Sequence, residues 1–322
     1  MLLVILPIMD QTYIVPLFLN GKEVKTTIIF DVRNPENNEI VWRSSSASEQ
    51  DAMNAVESAE IAFHTWSRTK PLVRRSILLR AAQLFRDRKD ELVNYGTAET
   101  GLGVEYTGFI LNVMDEMLED VAGKITSIQG SAPTLLEEGR SAIVNREPYG
   151  VILGIAPWCV SNVSSSYLQI FLQLIVLLSR NAPWPLGCRA VCFALATGNT
   201  VVLKGSELSP RCFWAIADVF HKAGLPDGCL NMLLHRPEDA ARITNILIAH
   251  PYVRKINFCG SSAVGSIIAA TAGKYLKPLV LELGGKGSAI ILRDADIRKA
   301  AIACTLGAFT NVSYLNTYNK LC

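Results

Sequence analysis

The spacing of hydrophobic positions changes near residue 150, and the part of the chain before that change predicts a hairpin followed by helices. The hairpin covers Pro16 to Val24, because its central Asn20-Gly21 dipeptide favours the positive φ angles of a type I′ turn. Apolar residues then recur at helical spacing in three stretches. The first helix begins after Ser48, the second runs from about Leu72 to Arg88, the third begins near Val104, and a strand is predicted over Ser141 to Val144.

After residue 150, short apolar strands alternate with helical segments, which is typical of a parallel sheet covered on both faces. This pattern predicts an α/β fold with a doubly wound, nucleotide-binding sheet, although the usual G-x-G-x-x-G fingerprint is absent. The predicted strands are Val151–Ala156, Thr200–Leu203, Leu230–Leu234, Val253–Phe258 and Leu279–Leu283. The predicted helices between them are Leu186–Ala196, Pro210–Lys222, Pro237–Ala249 and Ala263–Ala272.

The amino-acid composition argues against several classes of protein. A formal net charge of +2 gives no basic excess that would attract nucleic acid. The eight cysteines and four histidines lack metal-ligand spacing, so buried thiols of a cytoplasmic protein are favoured over a disulfide framework. The apolar runs at residues 1–8 and 167–178 are too short to span a bilayer, and we expect no membrane partner. A membrane role for residues 167–178 is the weaker alternative.

Five motifs in a fixed order carry the most specific signal in the sequence. They are Gly154-Ile-Ala-Pro-Trp158, Asn181-Ala-Pro-Trp-Pro185, Lys204-Gly-Ser-Glu207, Phe258-Cys-Gly-Ser261 with Gly265, and Leu281-Glu-Leu-Gly-Gly-Lys286. In this order they resemble the aldehyde dehydrogenase superfamily, over about Pro16 to Asn311. The segments Asn145 to Gly150 and Gly187 to Cys192 look most like its salicylaldehyde and vanillin dehydrogenase branch, which oxidises aromatic aldehydes.

The resemblance implies a Rossmann-like NAD-binding domain with an amino-terminal helical segment, an oligomerisation hairpin and a truncated catalytic domain. Residues 1–127 would form the amino-terminal part of the cofactor domain, 128–147 the hairpin, 148–283 the Rossmann-like core and 284–322 the start of the catalytic domain. Residues 159–180 separate two motifs that are adjacent in the family. We interpret this foreign-looking insert as a retained intron translated in frame.

Lys204 and Glu207 are candidate cofactor ligands because they end a predicted strand and begin the turn after it. From spacing alone an exposed Lys–Glu pair in a turn is the simpler interpretation. The resemblance instead makes the pair the ligands of the adenosine ribose, whose hydroxyls need hydrogen-bond partners. The Glu207 carboxylate would repel a 2′-phosphate, so NAD is expected over NADP, although NADP stays possible.

Gly260 and Ser261 lie where a predicted strand becomes a helix. Glycine allows a ligand to approach the backbone, and a helix N-terminus favours an anion. A plain serine N-cap explains the same residues equally well. The resemblance implies that Ser261 contacts the cofactor pyrophosphate, and that Gly260, Gly265 and Trp158 belong to the cofactor site.

Glu282 and Asn181 are the candidate catalytic residues. Glu282 lies in an apolar strand before Gly284-Gly285, where partial desolvation would raise its pKa into the range of a general base. A strand-end glutamate that faces solvent is the alternative. By resemblance Glu282 activates water and the Asn181 amide contributes to an oxyanion hole. A turn asparagine before Pro183 is the simpler interpretation of Asn181.

The chemistry implied by the resemblance needs a thiolate nucleophile. The family has a cysteine five residues beyond an asparagine that matches Asn311, and this chain has Asn316 at that position. None of Cys259, Cys304 and Cys322 lies at the required place.

Three functions therefore stay open. The first is an NAD-dependent aldehyde dehydrogenase that oxidises a small aldehyde and, by resemblance, forms homo-oligomers. The second is a catalytically inactive chain that binds NAD or pairs with a full-length subunit. The third is a mis-spliced product without a function.

Overall fold

The computed structural model describes residues 12–156, 183–285 and 288–309 of the chain. Ten strands lie in those ranges, in two sheets. Their bounds are β1 Ile14–Val15, β2 Leu17–Leu19, β3 Lys22–Val24, β4 Ile29–Arg33, β5 Ile40–Ser45, β6 Val151–Ile155, β7 Thr200–Lys204, β8 Leu230–Leu233, β9 Val253–Gly260 and β10 Leu279–Leu283.

The main sheet has seven strands in the order β10-β9-β6-β7-β8-β2-β3. Strands β6 to β10 are parallel, as the strand–helix alternation predicted, and β2 and β3 add an antiparallel hairpin at one edge. At the hairpin turn Asn20 and Gly21 have φ values of 48° and 73°, which confirms the predicted turn. The predicted α/β fold with a doubly wound sheet is confirmed.

Nine α-helices are described in these ranges, with two short 3₁₀ turns. Their bounds are α1 Glu49–Trp66, α2 Pro71–Asp87, α3 Lys89–Thr100, α4 Val104–Lys124, α5 Pro183–Ala196, α6 Pro210–Lys222, α7 Ala240–Ala249, α8 Ser262–Lys274 and α9 Ile297–Phe309. Helices α1, α7 and α8 pack on one face of the sheet, and α5 and α6 on the other, with α2 to α4 outside them. The described part of the chain is therefore a three-layer α/β structure with an additional helical layer.

The core lies between the central strands and these helices. Every residue of β6 and β7 is buried, because helices cover both faces of the sheet at its centre. Burial falls toward one edge, where β10 has only exposed and half-buried positions. This gradient leaves one face of the sheet open beside β9 and β10.

Two local predictions need correction. Four helices lie between residues 12 and 125, and α3 was missed because a single residue, Arg88, separates it from α2. The strand predicted over Ser141 to Val144 is reduced to one antiparallel bridge between Ser131 and Val144. Most of that segment is exposed, so no packed neighbour supports an extended pair there.

Candidate functional site

The carboxyl ends of β6, β7, β9 and β10 lie along one rim of the sheet. The chain runs from β6 to β7 and β8 on one side, then returns to place β9 on the other side of β6. The order of the strands therefore reverses between β6 and β9. In open α/β sheets, ligands bind in the crevice outside the strand ends at such a reversal.

Lys204 ends β7 at this rim and is 9% exposed. Burial lowers the pKa of its ammonium group, and the nearby Glu207 carboxylate opposes that shift. Within the described residues, no hydrogen bond or ion pair is found for this ammonium group. The lysine thus presents a partly desolvated ammonium group at the rim, where it is able to donate to a polar ligand.

Glu207 lies in the short loop between β7 and α6, on the same rim as Lys204. The loop is anchored at Gly205, whose N–H donates to the Leu233 carbonyl 2.9 Å away. Ser206 is buried, and its hydroxyl accepts from the Leu208 N–H at 3.3 Å. The Glu207 side chain is half-buried. The loop therefore holds a carboxylate beside the buried lysine.

Gly260 and Ser261 form the junction between β9 and α8, as predicted. The Ser261 hydroxyl caps α8 by accepting from the Val264 N–H at 3.3 Å. Gly265 lies in the first turn, where an added Cβ would come within 2.5 Å of the Leu283 side chain. The glycine thus permits close packing of α8 against β10. The exposed N-terminus of this helix faces the crevice and suits an anion.

Glu282 lies on β10, and the solvent exposure of its side chain differs from the prediction. The sequence suggested a partly desolvated carboxylate, but its side chain is 45% exposed and forms an ion pair with Arg189 of α5 at 2.5 Å. The expectation of desolvation is wrong for the described part of the chain, in which β10 is an edge strand and the Glu282 carboxylate pairs with Arg189. Arg189 lies 93 residues away in sequence, so no local pattern indicated this pairing.

An open concavity of about 730 Å³ lies on the sheet face that carries α5. Its lining combines the Arg189–Glu282 pair with apolar and aromatic side chains, including Tyr149, Phe193 and Val280. Phe193 and Val280 are 47% and 43% exposed. The described residues thus bring one ion pair and two aromatic rings together at one surface.

Two predicted site residues, Trp158 and Asn181, lie outside the described residues, as do the insert 159–180 and residues Asn311 and Asn316. Sequence reasoning also missed two buried polar residues close to the site. His235 follows β8 near Lys204, and Glu99 hydrogen-bonds to the N-terminus of α6. Their partners are distant in sequence, so only the fold reveals them.

Comparison with known proteins identifies the family. The model of the aldehyde dehydrogenase family matches residues 22–167 and 174–313. The chain belongs to the aldehyde dehydrogenase family. The gap in the match falls inside the segment 159–180 that the sequence marked as foreign.

Several similar proteins within this family are named for aromatic aldehydes. A vanillin dehydrogenase from a Pseudomonas species is 42% identical over 299 residues, which cover 92% of this chain and 57% of the relative. The crystal structure of a salicylaldehyde dehydrogenase from Pseudomonas putida G7, complexed with salicylaldehyde, is 34% identical with a TM-score of 0.83. The match covers 92% of this chain and 57% of that structure.

A third similar structure is an NAD-dependent benzaldehyde dehydrogenase from Corynebacterium glutamicum, at 26% identity and a TM-score of 0.80. The match covers 92% of this chain and 60% of that structure. The chain thus spans little more than half the length of the relatives it matches.

In the described part of the chain, no helix has the length and hydropathy needed to cross a membrane, and no group of three or more possible metal ligands is found.

Proposed function

We propose that this chain binds NAD at the carboxyl rim of its parallel sheet, as the cofactor module of an aldehyde dehydrogenase that oxidises aromatic aldehydes to acids. The observation that carries this proposal is the largely buried Lys204 side chain, whose ammonium group forms no hydrogen bond or ion pair with the described residues and lies beside Glu207 where the strand order reverses. The names of the relatives, which act on vanillin, salicylaldehyde and benzaldehyde, support the aromatic substrate class.

The residues at the rim fit a dinucleotide. Lys204 would donate to a ribose hydroxyl, and the Glu207 carboxylate would accept from one, which gives each buried or half-buried group a partner. The N-terminus of α8, capped by Ser261, would bind the pyrophosphate charge. Gly260 and Gly265 allow this junction to pack closely against the side chains of Phe258 and Leu283. When bound, NAD accepts a hydride from the substrate.

For the aldehyde side of the reaction, we assign Glu282 as the base that would take a proton from water, with Arg189 paired to its carboxylate at rest. We also assign an oxyanion-hole role to Asn181, and a cofactor contact to Trp158, by resemblance.

The position of the family's cysteine nucleophile holds Asn316, so we propose that the chain binds NAD without completing the oxidation. The assay is NADH formation with vanillin, salicylaldehyde and benzaldehyde as probes. We expect no sustained turnover. Steady NADH production by the purified chain would contradict this part of the proposal and would show that another thiol acts as nucleophile.

NAD binding is tested by calorimetric titration of the purified chain. Replacing Lys204 with Met removes the charged donor, and we expect NAD affinity to fall by roughly tenfold to a hundredfold, as for a lost charged hydrogen bond. Lys274→Met is the matched control, because Lys274 is an exposed lysine at the opposite end of α8 from Ser261. Equal NAD affinity in wild type and Lys204→Met would rule out the proposed site.

Glu207 provides the test of cofactor preference. Its carboxylate would lie beside the ribose, where a 2′-phosphate would meet a like charge. We expect the wild-type chain to bind NAD more tightly than NADP, and Glu207→Gln to narrow that difference by about tenfold. Titration of both proteins with both cofactors measures the effect. An unchanged ratio would place the ribose away from Glu207.

A further inference from the structure

A carboxylate outside the proposed site is the most completely buried acid in the described structure. Glu99, in the last turn of α3, has no exposed surface. Its Oε1 accepts from the Trp42 Nε1–H and from the Arg211 backbone N–H, both at 2.8 Å. Its Oε2 accepts from the Cys212 backbone N–H at 3.0 Å. The carboxylate thus joins three separate elements, β5, α3 and α6.

The contact with α6 is a helix cap supplied from a distant part of the chain. The first N–H groups of a helix need partners from outside the helix. Ser209, at the N-cap of α6, forms no side-chain cap, and the first helical residue is Pro210, which has no N–H. The next two N–H groups, of Arg211 and Cys212, both donate to Glu99, from 112 and 113 residues away. An anion at this end also complements the helix dipole.

The side chain of Arg211 also holds the N-terminus of α6 in place, through contacts with aromatic rings. Its guanidinium lies 4.1 Å from the ring centres of Tyr13 and Tyr95 and 4.7 Å from that of Trp42. Such stacking on aromatic faces stabilises a cation. The backbone N–H that donates to Glu99 is therefore held in place by side-chain packing as well.

This capped helix end directly follows the loop that carries Glu207. Only residues 205–209 separate β7 from α6. The β7 end of that loop is fixed by the bond from Gly205 to Leu233, and the α6 end by the Glu99 carboxylate. The Ser206 carbonyl accepts from the Ser209 N–H at 3.4 Å, which links the two ends across Glu207. Loosening the helix start would therefore displace Glu207.

We propose that Glu99 is a positioning residue for the cofactor, which fixes the loop 205–209 by capping α6 and so sets the place of Glu207. This inference rests on the proposed function, because it assigns a consequence for NAD binding to a residue that would not touch NAD. Glu99 acts through the backbone N–H groups of Arg211 and Cys212. Its replacement weakens NAD binding although every residue that would contact NAD is unchanged.

The test compares NAD binding at pH 8 in wild type, Glu99→Gln and Val219→Ala. Burial raises the pKa of Glu99 to about 7, opposed by its hydrogen bonds to Arg211, Cys212 and Trp42, so the carboxylate is ionised at that pH. Glutamine keeps the volume but directs an amide N–H group at one of the donors around Glu99, which also include the Cys212 thiol. Val219→Ala is the matched control, because it removes fully buried volume from α6 far from the cap.

We expect NAD to bind about tenfold more weakly to Glu99→Gln, equivalent to about 1.4 kcal/mol. Val219→Ala should lower the unfolding midpoint and leave NAD affinity unchanged. Hydrogen exchange of the Arg211 and Cys212 amides should accelerate in Glu99→Gln alone. Glu99→Asp, which keeps the charge but shortens the side chain, should bind NAD with intermediate affinity and decides the question if Glu99→Gln does not fold.

The outcomes separate the two proposals. Wild-type NAD affinity in Glu99→Gln, or in Glu99→Asp where only that variant folds, would overturn the positioning role and leave the proposed function standing. Equal losses of affinity in Glu99→Gln and Val219→Ala would assign the effect to general destabilisation and would also overturn it. Absence of NAD binding to the folded wild-type chain would overturn the proposed function, and the positioning role with it.

Discussion

At the scale of single residues, two buried basic groups lie close together behind the rim of the sheet, Lys204 and His235. Burial, together with the nearby charge of Lys204, lowers the pKa of His235 to about 4. Its Nδ1 lies 2.9 Å from the Arg236 carbonyl, which only accepts, so Nδ1 carries the proton. Within the described structure Nε2 has no partner. A neutral imidazole therefore lies beside a charged ammonium group.

His235 should make stability sensitive to acid. Its folded pKa of about 4 lies below the ordinary value of 6.5, so its contribution is present above pH 6.5 and is lost as the pH falls towards 4. The loss approaches about 1.4 kcal/mol per pH unit for a single group. Urea unfolding should show no pH dependence due to His235 above pH 6.5, and should approach this slope in wild type only below that pH, towards pH 4.5.

The matched variant is His235→Asn, whose amide N–H can replace Nδ1–H as donor to the Arg236 carbonyl. We expect its unfolding midpoint to depend less on pH than that of wild type. The same pH dependence in both proteins would show that other groups cause the acid sensitivity.

At the scale of elements, the junction between β7 and α6 is a closely packed turn next to the site. A Cβ added to Gly205 would lie 2.8 and 2.9 Å from Phe213 of α6 and 3.0 Å from Leu234. A Cβ added to Gly123 of α4, in contrast, would have nothing within 4 Å. Close packing therefore requires glycine at position 205, whereas the space around position 123 would accept a larger residue.

We expect Gly205→Ala to destabilise the chain by about 1–3 kcal/mol, because the methyl group overpacks the contact with Phe213. Gly123→Ala should be neutral or stabilising by up to about 1 kcal/mol, because alanine favours a helix and meets open space. Urea unfolding of both variants measures the difference. A stabilised Gly205→Ala protein would show that Phe213 moves aside without cost.

The parallel strands could be predicted closely because each is a short apolar run between turn signals, and β10 was predicted to the residue. Helix α3 could not be predicted as a separate helix, because only one residue, Arg88, separates it from α2. Lys204 and Ser261 could be placed at strand ends from local sequence. The hydrogen bonds of Glu99 and the ion pair of Glu282 could not be predicted, because their partners lie about a hundred residues away in sequence.

At the scale of the whole molecule, the exposed face beside β9 and β10 is a large apolar feature. Tyr149, Phe193 and Val280 of the concavity are 57%, 47% and 43% exposed. Grouped apolar side chains of this kind bind hydrophobic dyes and promote association, whereas single exposed ones are ordinary. The residues of this chain that match the vanillin dehydrogenase cover 57% of that relative.

We expect the purified chain to bind the dye ANS, and Phe193→Gln combined with Val280→Thr to reduce the dye fluorescence by about half, since two of the apolar lining groups are removed. Ile61→Gln is the matched control, because Ile61 is 73% exposed on α1, which packs on the opposite face of the sheet from α5. Equal dye binding in all three proteins would place the dye site elsewhere.

The hairpin at the sheet edge also has a consequence for the order in which the chain matures during translation. Strand β2 pairs with β8, and the Asn20 N–H donates to the Asn231 side chain, 211 residues further along. Contacts of such long range form slowly, because a large loop must close first. The amino-terminal hairpin therefore leaves the ribosome before its partner strand has been synthesised, and its apolar residues Leu17 and Phe18 lack that cover during the interval.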